Sequence, residues 1–204
     1  EVKLVDSEIQ SRIYMPKLAQ TITEHAGMFY DIIGHWAEAA IREAAQLEYV
    51  SGYPDGSFRP DESITRAQFA VMLARAMKLP IEQRQLVSYT DADSIPDWAG
   101  AHIAALTEAG WMTGYEDGSF RPNQSINRAE MTILLVRAMG GTPSEPLDSP
   151  DFADQDMIPD WAMASVALAY QKGLVQGKLN HRLDPLGTTT RAETAATQLR
   201  LLNI

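Results

Sequence analysis

One nine-residue segment occurs twice in this chain, and this repetition constrains the fold more than any other feature. Residues 52–60 read Gly-Tyr-Pro-Asp-Gly-Ser-Phe-Arg-Pro, and residues 114–122 repeat eight of these nine positions 62 residues later. Residues 177–185 are a divergent third copy that keeps the first glycine and the last proline. Self-similarity at a fixed period is typical of chains built from stacked supersecondary units. The sequence therefore predicts three related units.

Each unit also carries other positions at matching places. A tryptophan lies sixteen residues before the loop glycine, an aromatic-x-Asp triplet precedes that tryptophan, and an Arg-Ala motif follows the loop. These recurring residues are candidates for shared structural or binding roles. They are Trp36, Trp98 and Trp161; Asp31, Asp91 and Asp154; Gly52, Gly114 and Gly177; and Arg66, Arg128 and Arg191.

Local patterns predict a helix, a loop and a second helix in every unit. Small or apolar residues recur every three or four positions after Trp36, which is typical of one helical face. The Asp-Gly pair in the loop indicates a turn and predicts a short hairpin-like excursion there. The second helix begins at a capping motif, complete in two units and closely related in the unit with asparagine. The capping pairs are Thr65 with Gln68, Asn127 with Glu130, and Thr190 with Glu193.

The predicted fold class is mainly α, with one core shared by the three units. A unit of about fifty residues buries too little apolar surface to be stable alone. Three second helices around a common axis would bury a joint core with pseudo-threefold packing. Thr194 and Gln198 replace apolar residues in the third copy, so we expect its second helix to have a narrower apolar face and one exposed flank.

Composition divides the chain into units and connecting segments. The first 28 residues are polar with some helical periodicity, and two further stretches are typical of linkers. We therefore predict a leader at 1–28, repeats at 29–80, 89–141 and 152–204, and linkers at 81–88 and 142–151.

Charge and residue usage exclude several classes of partner. The formal net charge is −10 and the sequence pI is about 4.8, which argues against binding to nucleic acid phosphates. The absence of cysteine rules out disulfides, zinc–thiolate sites and cysteine nucleophiles, but leaves the compartment open. The chain has no run of eighteen apolar residues, so we expect no membrane insertion.

The combined pattern resembles the S-layer homology module. The resemblance rests on the aromatic-x-Asp triplet before a Trp-Ala helix, the Gly-Tyr-x-Asp-Gly-Ser-Phe-Arg-Pro loop and the Thr-Arg-Ala-Glu motif, over about residues 29–204. It implies three tandem modules of an extracellular bacterial surface protein, folded as a three-pronged pseudo-threefold spindle with a central three-helix bundle. It also implies non-covalent anchoring to the cell wall, with no enzymatic activity and no cofactor. We expect the isolated module to be a monomer.

The same resemblance implies a ligand and its contacts. Arg66, Arg128 and Arg191 are implied to contact pyruvylated N-acetylmannosamine, an anionic sugar of the secondary cell wall polymer, in grooves between neighbouring prongs. The aromatic-x-Asp and tryptophan positions are implied to line those grooves. The chain departs from the family pattern at Gln68, at Asn127 and in the eroded third loop, which sets one groove apart from the other two.

The arginines also invite a physical argument that is independent of any family. Each is at the first position of its helix, where a cation opposes the helix dipole by roughly 0.3–1 kcal/mol. The guanidinium and free backbone N–H groups at the helix start could together bind a carboxylate. Alternatively, each arginine could pair with Asp31, Asp91 or Asp154 and fasten the base of a prong. The residues alone leave both explanations open, and the resemblance favours ligand contact.

The aromatic residues and glycines near the loop have structural explanations as well. A tryptophan that opens an amphipathic helix is expected to be mainly structural, with one edge facing the groove. Tyr53 and Tyr115 are better candidates for stacking on a sugar. The loop glycines most simply end the first helices in a left-handed conformation, and a backbone N–H exposed there could meet the ligand.

Metal-binding and catalytic functions fit the sequence poorly. The Asp-Gly pairs do not extend into an EF-hand ligand pattern, and no histidine has metal-ligand partners at suitable spacing, so we expect no metal site. No Gly-x-Ser-x-Gly, His-Glu-x-x-His or phosphate-loop motif occurs. The acidic residues between 151 and 160 are better interpreted as loop and cap than as a glycosidase pair. None of the four histidines is therefore a predicted metal ligand; they are His25, His35, His102 and His181.

The predicted function is therefore cell wall anchoring, and the alternative is a protein–protein scaffold whose grooves bind acidic peptides. We expect the grooves to be unequal. Affinity should be carried by the sites with Arg66 and Arg128, because their own repeats keep the aromatic loops. The site with Arg191 should be weaker and more sensitive to salt, since its repeat offers charge without an aromatic platform. In the alternative arrangement, adjacent prongs share each groove, the arginine of one repeat works with the loop of another, and this ranking is permuted.

Overall fold

The architecture comes from a computed structural model that describes residues 29–81, 89–142 and 150–204. These residues form two α-helices in each repeat, which confirms the mainly α fold and the helix-loop-helix units. The predicted leader and most of both linkers lie outside the described residues, so the boundaries stay predictions. The helices are α1 (Glu38–Gln46), α2 (Arg66–Ala76), α3 (Asp97–Glu108), α4 (Arg128–Ala138), α5 (Asp160–Gln171) and α6 (Arg191–Leu202).

The second helix of every repeat begins with a complete capping box. The side-chain oxygen of Asn127 accepts a hydrogen bond from Glu130 N at 2.8 Å, and the Glu130 carboxylate accepts one from Asn127 N at 3.0 Å. Threonine and the third helical residue do the same at the starts of α2 and α6. These bonds satisfy donors that a helix start would otherwise leave free. The asparagine version is thus equivalent to the two threonine versions.

Three residues just before the second helices join the repeats in a closed cycle, which we call the central ring. Ile64 N donates to Thr189 O at 3.0 Å, Thr189 N donates to Ile126 O at 3.0 Å, and Ile126 N donates to Ile64 O at 3.1 Å. All three residues are fully buried. The bonding follows the predicted threefold order, while the spindle outline stays a prediction.

Each first helix packs against the second helix of a different repeat. Helix α3 of repeat 2 lies on α2 of repeat 1, α5 of repeat 3 lies on α4 of repeat 2, and α1 of repeat 1 lies on α6 of repeat 3. Helices α2 and α6 also contact each other. The core is therefore shared among the repeats. The cycle of helix contacts closes where α1, the first described helix, packs against α6, the last.

The predicted exposed flank of α6 is wrong. Thr194 and Gln198 are fully buried, at positions whose equivalents in α2 and α4 are also fully buried. Since α6 occupies the same place as α2 and α4, its inner face is covered whatever side chains it carries. Thr194 Oγ1 and both amide atoms of Gln198 find no hydrogen-bond partner within the described residues.

The first helices also end earlier than the loop glycines predicted. Helix α1 ends at Gln46, and the positive φ that follows it, 62°, is at Glu48. The residues equivalent to Glu48 after α3 and α5 are Gly110 and Gly173, with φ of 72° and 68°. A left-handed residue does follow each helix, but four residues before the predicted glycine.

Candidate ligand-binding grooves

Three grooves lie between the repeats, and all three repeats contribute to each. Every groove takes a loop from one repeat, an arginine from the start of a second helix in another, and a tryptophan from the remaining one. We name grooves A, B and C after loops 1, 2 and 3; their cavity volumes are about 260, 160 and 510 Å³. The groove arginine, loop glycine and tryptophan are Arg191, Gly52 and Trp98 in A; Arg66, Gly114 and Trp161 in B; and Arg128, Gly177 and Trp36 in C.

This arrangement contradicts the expectation that an arginine shares a groove with the loop of its own repeat. The backbone N–H of Arg66 donates to Gln124 O beside loop 2, and that of Arg191 donates to Glu62 O beside loop 1, both at 2.9 Å. The central ring thus brings each helix start to the neighbouring loop. Arg191, predicted to mark the weak groove, lies with an aromatic loop, whereas Arg128 lies with the divergent one.

The backbone N–H groups at the helix starts are not free to bind an anion, contrary to one explanation of the repeated arginine. The N–H groups of Arg66 and Ala67 donate to Gln124 O and Pro122 O at 2.9 and 3.0 Å, and the capping box takes the third. Equivalent bonds occur at the starts of α4 and α6. An anion can therefore meet these helix starts through the arginine side chain but not through the backbone.

The arginines of grooves A and B are held by carbonyl oxygens. Arg66 Nε donates to Phe120 O at 2.9 Å, and Arg191 Nε donates to Phe58 O at 2.7 Å. Nη2 of each arginine donates to a second loop carbonyl. Burial lowers the pKa of both guanidinium groups below the usual arginine value. Carbonyl oxygens satisfy two donors of each arginine without neutralising its charge, so the walls of grooves A and B each keep a positioned cation.

The recurring aspartates lie beneath the loops and hold them in place. Both carboxylate oxygens of Asp91 accept backbone hydrogen bonds, from Phe120 N at 2.7 Å and Arg121 N at 2.8 Å. Asp31 and Asp154 bind the equivalent N–H groups of loops 1 and 3. The alternative in which the groove arginines pair with these aspartates is therefore wrong, because the carboxylates bind loop backbone instead.

The three tryptophans are more exposed than predicted. Trp36, Trp98 and Trp161 expose 63%, 54% and 58% of their surface, respectively. Each tryptophan lines a groove whose loop belongs to a different repeat. The expectation of a mainly structural role is wrong, since most of each indole is exposed at a groove rather than packed in the core.

The loop tyrosines connect several groups at the groove wall. The guanidinium carbons of Arg121 and Arg66 lie 4.0 and 4.6 Å from the ring centre of Tyr115. Tyr115 Oη donates to Glu130 Oε1 at 3.2 Å. Tyr53 has the equivalent contacts in groove A, including a 3.5 Å hydrogen bond from Gln68 Nε2. The tyrosines therefore orient the groove arginines, and sugar stacking on their rings stays a prediction.

The loop glycines are required for close backbone approach. A Cβ at Gly52 would overlap the ring of Phe29 and lie 2.6 Å from Ser57 O, and at Gly114 it would lie 2.8 Å from Ser119 O. Neither glycine has a positive φ, so the prediction that they end helices in a left-handed conformation is wrong. At Gly177 the nearest atoms would be 3.3 Å away, which is a looser fit.

Groove C differs from the other two in its charged contacts. Lys178 replaces the loop tyrosine, and its Nζ lies 3.3 Å from Glu193 Oε1. The same oxygen accepts from Arg128 Nη2 at 2.6 Å, and both partners are largely buried. Burial raises the pKa of Glu193, but the charge of Arg128 and the bond from Thr190 N outweigh it, so the pKa lies below the usual value. The carboxylate of groove C is thus paired with the groove arginine, whereas that of Glu130 in groove B is bonded to Tyr115.

Sequence reasoning missed a second arginine in every groove. Arg75 lines groove A, Arg137 lines groove B and Arg200 lines groove C, each near the end of the second helix of the same repeat as the loop. These arginines recur at offsets of 62 and 63 residues, the same period as the loop motif. That period was the signal that could have found them. Each of the three grooves therefore holds two guanidinium groups.

The histidines have structural surroundings in the described part of the chain. His102 is buried, and burial lowers its pKa. His35 Nε2 lies 3.2 Å from Asp61 Oδ1, His181 lies in loop 3, and His25 is outside the described residues. Among the described residues, no group of three or more acidic or histidine side chains could hold a metal ion. None of the described helices is long and apolar enough to cross a membrane.

The fold defines a module of three repeats with three inter-repeat grooves on its surface. A family model of the S-layer homology domain matches residues 29–70, 88–132 and 151–195. The chain therefore belongs to the S-layer homology domain family.

Related proteins are much longer than this chain. An amylopullulanase of Thermoanaerobacterium thermosulfurigenes is 35% identical over 177 residues, which is 85% of this chain and 9% of the relative. A cellulosome-anchoring protein of Acetivibrio thermocellus is 40% identical over 111 residues, 53% of this chain and 25% of the relative. The S-layer protein EA1 of Bacillus anthracis is 30% identical over 162 residues, 79% of this chain and 18% of the relative. The chain thus spans a quarter or less of these relatives.

The family match and these relatives together identify the general role of the chain. It is a cell-surface anchoring module, located at the cell wall or the surface layer.

Proposed function

We propose that this module anchors a bacterial surface protein by binding a secondary cell wall polymer that carries pyruvylated N-acetylmannosamine, chiefly in grooves A and B. One observation carries the proposal: Arg66 and Arg191 are buried at the groove walls with carbonyl oxygens as their hydrogen-bond partners. Such a guanidinium keeps its charge and has donors left over, because arginine has five N–H groups.

The chemistry of a pyruvyl ketal suits this site. Its carboxylate would accept charge-assisted hydrogen bonds from the groove arginine, each worth about 1.5–3 kcal/mol. The exposed face of Trp98 in groove A, or Trp161 in groove B, offers an apolar surface for the sugar ring. Arg75 and Arg137 supply a second cation at the same grooves.

The charge distribution favours a local anion site over general attraction. The chain as a whole has a net charge of −10, so its overall field repels polyanions at long range. An anionic polymer would therefore bind where the groove arginine is held by carbonyl oxygens rather than by a carboxylate, as in grooves A and B, and not elsewhere on the surface. This supports recognition of a defined charged sugar.

We assign no catalytic role to this chain. The relative named amylopullulanase matches it over 9% of its own length, so that enzyme name describes a protein most of which has no counterpart here. Grooves A and B are lined mainly by arginines, aromatic rings and apolar side chains, with one carboxylate, that of Glu130 in groove B, and this lining suits binding.

Binding to cell wall sacculi tests the proposal. The full chain should sediment with sacculi that retain the polymer and not with sacculi from which hydrofluoric acid has removed it. Arg66→Ala and Arg191→Ala should each weaken binding about 10- to 100-fold, the equivalent of one charge-assisted bond. Arg42→Ala, which removes a cation paired with Glu38 on α1, should bind like the unaltered chain.

Two results would contradict the proposal. Binding that survives removal of the polymer would favour the scaffold alternative, in which the grooves receive acidic peptides. Arginine variants that unfold, judged by thermal melting followed by circular dichroism, would assign these residues to stability instead. In the expected outcome, both variants melt cooperatively while losing affinity.

A further inference from the structure

Groove C has the same plan as grooves A and B but a different set of charged contacts. The third residue of each second helix lines each groove: Gln68 in A, Glu130 in B and Glu193 in C. In A and B this side chain is hydrogen-bonded to the loop tyrosine. In C the tyrosine is replaced by Lys178, so Glu193 has no phenol to bind.

Glu193 binds the groove arginine instead. Its Oε1 lies 2.6 Å from Arg128 Nη2 and 3.3 Å from Lys178 Nζ. The side chains of Arg128 and Glu193 are only 7% and 16% exposed, so water screens their interaction little. The carboxylate thus neutralises the cation that would otherwise face the groove.

The altered pose of Arg128 supports this view. Arg66 and Arg191 use Nε to bind a loop carbonyl, whereas Arg128 Nε is buried without a hydrogen-bond partner among the described residues. A buried unpaired donor is unfavourable, and the pair with Glu193 offsets it. The same arginine position therefore has a different partner set in groove C.

We infer that Glu193 is a specificity-determining residue that occupies the anion position of groove C, so that this groove rejects the pyruvylated sugar although it is the largest of the three. The inference rests on the proposed function of grooves A and B. A ligand carboxylate entering groove C would have to displace Glu193 from Arg128, and the displaced carboxylate would remain nearby and repel it.

Replacing Glu193 by glutamine tests the inference directly. Glutamine already serves this helix position in repeat 1, where Gln68 completes a capping box, so Glu193→Gln is compatible with the fold. Calorimetric titration with synthetic pyruvylated N-acetylmannosamine should show one more binding equivalent in the variant than in the unaltered chain. Glu116→Gln, which makes the same charge change at an exposed residue of loop 2, should add no equivalent.

A second variant guards against an unforeseen effect on the helix cap. Lys178→Tyr restores the residue found in loops 1 and 2, offers Glu193 a hydroxyl, and should also add one equivalent. If both variants fold but bind as many equivalents as the unaltered chain, the inference is wrong. It is equally wrong if the unaltered chain already fills three sites.

The proposed function and the inference about Glu193 can be contradicted separately. If the unaltered chain binds no sugar at all, the proposed function is wrong. The pairing of Glu193 with Arg128 is then tested by NMR in the absence of sugar. The ¹⁵N NMR signal of Arg128 Nε should shift in Glu193→Gln while those of Arg66 and Arg191 stay in place. An unmoved Arg128 signal would overturn the inference.

Discussion

The centre of the molecule and its three loops have diverged to very different degrees. At the centre, the three repeats form the same capping box and the same ring of backbone hydrogen bonds. In the loops, repeat 3 has lost the tyrosine and the phenylalanine of its two counterparts. Even so, Asp154 binds Leu183 N and Asp184 N as Asp31 and Asp91 bind theirs. Backbone bonds therefore hold the position of each loop, while its side chains determine the chemistry of the groove.

The largest expected effect comes from breaking the centre. Fragments 29–81 and 89–142, each a single repeat, should be unfolded, because each first helix packs on a second helix that the fragment lacks. Far-ultraviolet circular dichroism should show no cooperative thermal transition for either fragment, in contrast to the full chain. A sharp transition from one fragment would mean that the shared core is not needed for folding.

The features that the sequence predicted are those encoded locally. The repeats, helix pairs and capping residues such as Thr65 and Glu130 follow from spacing and short-range hydrogen bonds, and the structure contains them. Gly52 was also singled out by its recurrence, but the left-handed conformation predicted for it is wrong. The glycine is required because Phe29 and Ser57 approach it closely, and no short pattern brings these residues together.

The groove composition could not be predicted in the same way. The ring order decides that Arg191 meets loop 1 and Trp98, and ring order is a property of the tertiary fold. Periodicity indicates that a helix has two faces but does not say which neighbour covers them. The exposure of Trp98 and the burial of Gln198 were therefore both mispredicted.

Removing the aspartate that holds a loop should have the next largest effect. The loss of stability should be similar for the divergent loop 3 and for loop 2. Asp91→Ala and Asp154→Ala each leave two backbone N–H groups without their carboxylate, which we expect to cost about 2–4 kcal/mol of unfolding free energy. Urea denaturation measures the loss. Asp93→Ala, at an exposed neighbouring position, should change stability by less than about 0.5 kcal/mol.

The contribution of Asp154 to the unfolding free energy depends on pH with a definite sign. Burial raises the pKa of Asp154, but its hydrogen bonds from Leu183 N and Asp184 N outweigh burial, so the pKa lies below the usual value. Its contribution is then present at neutral pH and lost as the pH falls below about 4. If Asp154→Ala left the unfolding free energy unchanged while Asp91→Ala lowered it, Asp154 would not stabilise loop 3 as Asp91 stabilises loop 2.

The smallest expected effect concerns Gln198, a buried polar side chain on the inner face of α6. Gln198 is fully buried, and its amide atoms have no hydrogen-bond partner within the described residues. The equivalent residues Leu73 and Leu135 are also fully buried, which indicates that this place accepts leucine in two of three helices. Gln198→Leu removes unsatisfied polar atoms and retains most of the volume, so it should raise the unfolding free energy by about 1–3 kcal/mol in urea denaturation.

The reciprocal change Leu135→Gln should lower the unfolding free energy, because it places a second unpaired amide in the same core. Equal stability of Gln198→Leu and the unaltered chain would show that the amide is satisfied in solution, for example by a buried water. The centre would then tolerate divergence as readily as the loops do.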